Sequence, residues 1–100
     1  MASEIRMQGG VVASPYPVNT GENLKIIYNG LLAQSGADRV FLHMGYGPST
    51  HWASIHDQEM MRTDRGFETT LKVERPDRIN FCFKDSANNW DNNNGMNWSV

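Results

Sequence analysis

The sequence predicts an all-β domain: a sandwich of two antiparallel sheets built from about seven short strands. Three observations predict it. Apolar residues alternate with polar ones at a period of two over most of the chain. Clusters of glycine, proline, asparagine and aspartate interrupt that alternation at near-regular spacing. No stretch carries a convincing helical period.

The elements follow in order. Residues 10–13 read as a short first strand, ended by Pro15, Tyr16 and Pro17, and residues 1–9 as a flexible N-terminal segment ahead of a module spanning 10–100. Leu24, Ile26 and Tyr28 alternate with Lys25 and Asn29. Residues 31–38 are too punctuated for more than one turn of helix. Val40, Leu42, Met44 and Tyr46 share one parity, which leaves His43 on the other face of its strand. Residues 58–62 read as a weaker strand with Met60 and Met61 on opposite faces. Phe67, Leu71 and Val73, and then Ile79, Phe81 and Phe83, complete the core-facing runs. Residues 97–100 form a closing strand that buries Trp98.

One hundred residues suit one domain. The net charge of -2, with acids and bases interspersed, lacks the basic stripe that tracks phosphates, so nucleic acid is a poor partner. No apolar run is long enough to span a bilayer. The first seven residues carry no apolar leader core, so the expected setting is the cytoplasm, or a domain of a larger exported protein. Cys82 is the single cysteine; between Phe81 and Phe83 it is expected to pack as a small hydrophobe.

Three residues stand out chemically. Trp90 lies among asparagines, aspartates and a glycine. Burying it would drag unpaired amides inward at about 1–3 kcal/mol each, so its ring is expected at the surface. The competing arrangement is a ring that caps one end of the sandwich beneath its own loop. Trp52 also follows a turn-rich stretch, although Ala53 and Ile55 allow it to start a strand and enter the core. His43 projects from the outer face of its strand. Together these residues suit a sugar: an indole matches the C–H face of a pyranose, and imidazole and amide groups pair with the hydroxyl rim. Rings set at an angle would follow a curved α-linked glucan, and coplanar rings a flat β-linked chain.

On these residues the chain resembles a starch-binding carbohydrate-binding module of family 25, or the related family 53. The resemblance is carried by residues 40–47, Trp52, residues 66–73 and the stretch Ile79, Phe81, Phe83, Asp85 with the Trp90, Asp91, Asn92, Asn93 loop. It covers nearly the whole chain from Gly10 onward. It implies an immunoglobulin-like sandwich that binds α-1,4- and α-1,6-glucans (starch, glycogen, maltooligosaccharides) without catalysis or cofactor. Matched residue by residue, His43, Trp52 and Trp90 are the binding trio. Asn92 and Asn93 match loop asparagines that reach hydroxyls or brace the loop. Trp98 stands where the family usually has tyrosine, and residues 56–62 match no family feature. Such modules are commonly attached to glycan-active enzymes.

Other functions fit less well. Hydrolysis of a glycosidic bond needs two carboxylates facing across a cleft, whereas the acids here sit mostly at turns. His43, His51 and His56, with Asp57 as a fourth candidate, have no spacing that converges on a metal, and the loop 91–95 lacks the closing acid of a calcium site. The runner-up is an immunoglobulin-like protein-interaction domain that uses the same exposed aromatics. Asn97, Trp98 and Ser99 fit a glycosylation sequon that a closing strand would make accidental.

Overall fold

A computed structural model describes residues 3–100. The strands are β1 (Ser3–Met7), β2 (Val11–Tyr16), β3 (Asn23–Tyr28), β4 (Val40–Tyr46), β5 (Ala53–Glu59), β6 (Met61–Thr63), β7 (Gly66–Lys72), β8 (Ile79–Asp85), β9 (Trp90–Asp91) and β10 (Trp98–Ser99), with one turn of helix, α1 (Leu31–Gln34). They form two antiparallel five-stranded sheets. The first runs β1-β2-β3-β7-β6; the second runs β10-β8-β4-β5, with β9 also paired to β8. No described helix is long and apolar enough to cross a membrane.

The parity read from the sequence holds through the core. Leu24, Ile26 and Tyr28 of β3 face Val40, Leu42 and Met44 of β4 and Phe81 and Phe83 of β8 across a fully buried interior. Trp98 is buried at 4% exposure. It packs 5.2 Å from Phe83 and 6.2 Å from Phe81, and its indole N–H donates to the Gln8 carbonyl at 2.7 Å. That bond ties the β1–β2 turn to the core, and Gly9 permits it: a Cβ there would lie 2.9 Å from the Trp98 ring, at φ +86°.

Three expectations change. Residues 1–9 were read as a flexible lead, but Ser3–Met7 pairs with β2 as an edge strand, its Ile5 and Met7 packed against the core. The signal was present, since Ile5 and Met7 alternate with Glu4 and Arg6. Among the described residues about seven strands become ten: β1 is added, the run 58–62 divides between β5 and β6, and the two residues of β9 are too few to show an alternation. Residues 58–62 are two strands: β5 ends at Glu59 and β6 begins at Met61 in the other sheet. Met60 is the pivot, buried, with its N–H donating to the Val40 carbonyl at 2.9 Å, while Met61 is 72% exposed. Residues 31–34 form the single turn expected.

Candidate functional site

The outer face of the second sheet positions the site. β4 lies between β5 and β8, so His43 has Asp57 opposite it on one side and Cys82 on the other. Farther along β8, Lys84 is opposite Phe41 on β4 and Trp90 on β9. β9 and β10 occupy the same edge of β8, end to end, and the loop 92–97 bulges between them. Trp90 thereby reaches the sheet face that carries His43.

Trp52 arrives from the other direction, out of the loop between β4 and β5. A bulge in the β4–β5 pairing lies between Met44 and Tyr46, and Ser54 takes a left-handed φ of 53°. Gly45 sits in that bulge, where a Cβ would fall 2.9 Å from the Trp52 Cβ and 3.1 Å from Ile55. The missing side chain is the seat on which Trp52 rests. Its indole N–H donates to the Ser49 carbonyl at 2.9 Å, so Trp52 offers a ligand its ring rather than its N–H.

The trio comes together. The His43 ring centroid is 5.9 Å from that of Trp52, with the planes 35° apart, and 5.2 Å from that of Trp90, with the planes 89° apart. The sum of the separations, about 11 Å, bounds the distance between the indoles. The difference of the angles, about 54°, is the least by which the indole planes can diverge, so they are not coplanar. Trp90 is 44% exposed, as its polar neighbours require. Trp52 is half-buried against the core, a position between the two that the sequence left open. His43, Trp52 and Trp90 line a depression of about 400 Å³ with Ser49, Ile55 and Asn92.

Comparison with known proteins identifies the family. The model of a starch/carbohydrate-binding module (family 53) matches residues 24–81. The chain belongs to that family. The match includes His43 and Trp52 and stops short of Trp90. An alpha-amylase of Clostridium acetobutylicum is 36% identical over 83 residues, which is 81% of this chain and 10% of that protein. The chain thus spans about a tenth of the length of that relative. No solved structure matches.

The module supports its aromatic residues from beneath. Tyr28, fully buried and stacked on Phe83 at 3.9 Å, donates its hydroxyl to Asp91 Oδ2 at 2.5 Å and accepts from the Leu32 N–H at 3.0 Å. That bond fastens the residue next to Trp90 to the core. Burial, reinforced by the Asp91 carboxylate, pushes the Tyr28 hydroxyl far above its ordinary range, so it remains a donor. On the other flank, Asp85 Oδ1 accepts from the N–H groups of Ala87 and Asn89 at 3.0 and 2.8 Å, which closes the turn leading into Trp90. Cys82 forms part of the floor. Burial pushes its thiol up to about 11, so it is a neutral packing group, as its neighbours suggested.

The loop asparagines divide their work. Asn92 lines the depression, and its side-chain oxygen accepts from the Gly95 N–H at 3.0 Å. Asn93 is not among the lining residues; its amide donates to the Asn97 carbonyl at 3.1 Å and braces the loop. Asn97 lines the depression instead, a role hidden behind its place in the sequon. Sequence reasoning considered Asp57 only beside the histidines as a metal ligand and gave it no place in the sugar site. It accepts from Lys84 at 2.6 Å through one oxygen and lies 2.6 Å from His43 Nδ1 through the other. It sits in β5, whose run of polar residues hides the strand itself.

The Asp57 bridge is pH-sensitive. Partial burial alone would raise its pKa, but the hydrogen bonds from Lys84 and His43 prevail and hold the carboxyl below its ordinary value. A carboxylate depressed by folding stabilises the fold above its unfolded pKa of about 3.9, and that stabilisation is lost as pH falls through the folded value. Thermal melts between pH 7 and pH 3 should show Asp57→Asn below the parent at neutral pH, with the gap closing in acid. A gap that stays constant with pH would contradict this assignment.

Proposed function

We propose that the depression on the outer face of the second sheet holds an α-glucan such as starch or glycogen, without cleaving it. The observation that carries this reading is the divergence of the two indoles, at least about 54°, about one imidazole. Stacked sugars on such rings must turn from one residue to the next, as an α-linked chain does and a flat β-linked chain does not. Trp52 and Trp90 supply the ring faces. A carboxylate only accepts, so the bond to Asp57 holds the proton on His43 Nδ1 and leaves Nε2 for a hydroxyl. Asn92 and Asn97 serve as further hydroxyl partners.

Retention without cleavage is supported by the family, which is that of a carbohydrate-binding module. The energetics suit a tethered binder. Two rings that remove roughly 150 Å² of apolar surface from water contribute about 4 kcal/mol. Hydrogen bonds to a hydrated sugar add little net, and ordering subtracts, which places Kd in the micromolar-to-millimolar range. Weak sites gain most when attached to a catalytic partner. The amylase relative, ten times longer than the matched region, is consistent with that arrangement.

Native gels containing soluble starch, glycogen, hydroxyethylcellulose or xylan test the proposal. The protein should be retarded by starch and glycogen and run freely with the other two. Free migration in all four would favour the protein-interaction alternative, and equal retardation by the cellulose derivative would remove the geometric argument.

A further inference from the structure

The sheet face does not end at the tryptophans. Beyond the Asp57–Lys84 bridge lies a second depression of about 530 Å³, larger than the first, lined by Arg39, Phe41, Asp57, Glu59, Lys84 and Asn88 among others. The bridge lines the second depression and touches the first through His43 and Trp90, which line it. Asp57 turns one oxygen to His43 and the other to Lys84, and the Lys84 ammonium lies 5.3 Å from the centre of the Trp90 ring. Phe41 precedes His43 by two residues on β4 and so shares its face about 7 Å along the strand.

The chemistry of this second depression is that of a sugar contact. The Arg39 guanidinium meets the Glu59 carboxylate in a two-pronged pair, Nε to Oε2 at 2.9 Å and Nη2 to Oε1 at 2.8 Å. It also lies 5.2 Å from the centre of the Phe41 ring. Both partners of the pair are at least half exposed, at 56% and 50%. An exposed pair contributes little to stability. Its planar geometry, however, presents donors and acceptors already ordered, so little side-chain entropy is lost when a hydroxyl engages them. Asn88 adds an amide from the turn before Trp90.

We infer that this depression is an extension subsite, which takes the next sugars of the same glucan after they pass over the Asp57–Lys84 bridge. The inference rests on the proposed glucan binding at the tryptophans. It makes chain length the quantity the module discriminates. A short oligosaccharide is held by the tryptophans alone, and a longer one also reaches Arg39 and Glu59.

Calorimetric titration with maltotriose and maltoheptaose, on the full chain and on an Arg39→Ala, Glu59→Ala double variant, tests it. The parent is expected to bind maltoheptaose about tenfold more tightly than maltotriose. The double variant should lose most of that gain while maltotriose binding and the melting curve stay as in the parent. Equal affinity for the two sugars in the parent, or a gain undiminished in the variant, overturns the extension and leaves the tryptophan site standing. No binding of either sugar by the parent overturns both.

Discussion

Replacing Trp90 with alanine is expected to weaken glucan binding about thirtyfold and to leave the fold in place. One ring accounts for roughly half of the apolar surface a sugar covers here, and half of about 4 kcal/mol is about 2 kcal/mol. The substitution also removes the perpendicular contact with His43 and the ring beneath the Lys84 ammonium, which disturbs the partners that remain. Stability should change little, because Trp90 is an exposed residue on a two-residue edge strand, outside the buried core. Titration with maltoheptaose reads the affinity and a thermal melt reads the fold. A variant that binds as the parent does would show that the glucan lies elsewhere. Loss of binding together with a collapsed melt would show that the ring is structural.

Phe83→Ala is expected to be the most damaging change to the fold, at about 3–5 kcal/mol. Its ring stacks on Tyr28 at 3.9 Å and stands perpendicular or steeply inclined to Phe81 and Trp98 at 5.9 and 5.2 Å. It thus joins β8 to β3 and to the closing strand β10. Truncation would leave a cavity among rigid rings that cannot collapse readily to fill it. For a domain of this size each kcal/mol corresponds to about 4–8 °C in Tm, so a fall of more than about 10 °C should appear in calorimetry. The damage should extend to the site, because Tyr28 loses the stacking partner that holds its hydroxyl under Asp91. A decrease of only a few degrees would mean that the core repacks around the gap.

Much of this molecule was legible from local pattern. The parity of Val40, Leu42 and Met44 against His43 assigned an inner and an outer face to β4 before any partner strand was known. The polar company of Trp90 called for exposure, and it is exposed. Trp98, read as the buried residue of a closing strand, is buried. β5 left only traces, Ala53 and Ile55 at its start and the weak run 58–62 at its end: as an edge strand it buries almost nothing, so it shows no sustained apolar alternation to read.

By itself the sequence determined the two-sheet class, the inward and outward faces of its central strands and the exposure of Trp90. Each of these depends on neighbours within a few residues, where a period of two or a cluster of turn formers leaves a direct trace. Only the tertiary structure decided that Trp52 and Trp90 meet about His43 at a steep angle, that Asp57 and Lys84 bridge the face, and that Asn97 rather than Asn93 lines the depression. Those relations depend on the register of β8 against both β4 and β9, on the bulge at Gly45 and on the switch between sheets at Met60. Pairings between distant segments leave no periodic trace in a single chain, and the core that sets them forms only when the two sheets close on each other.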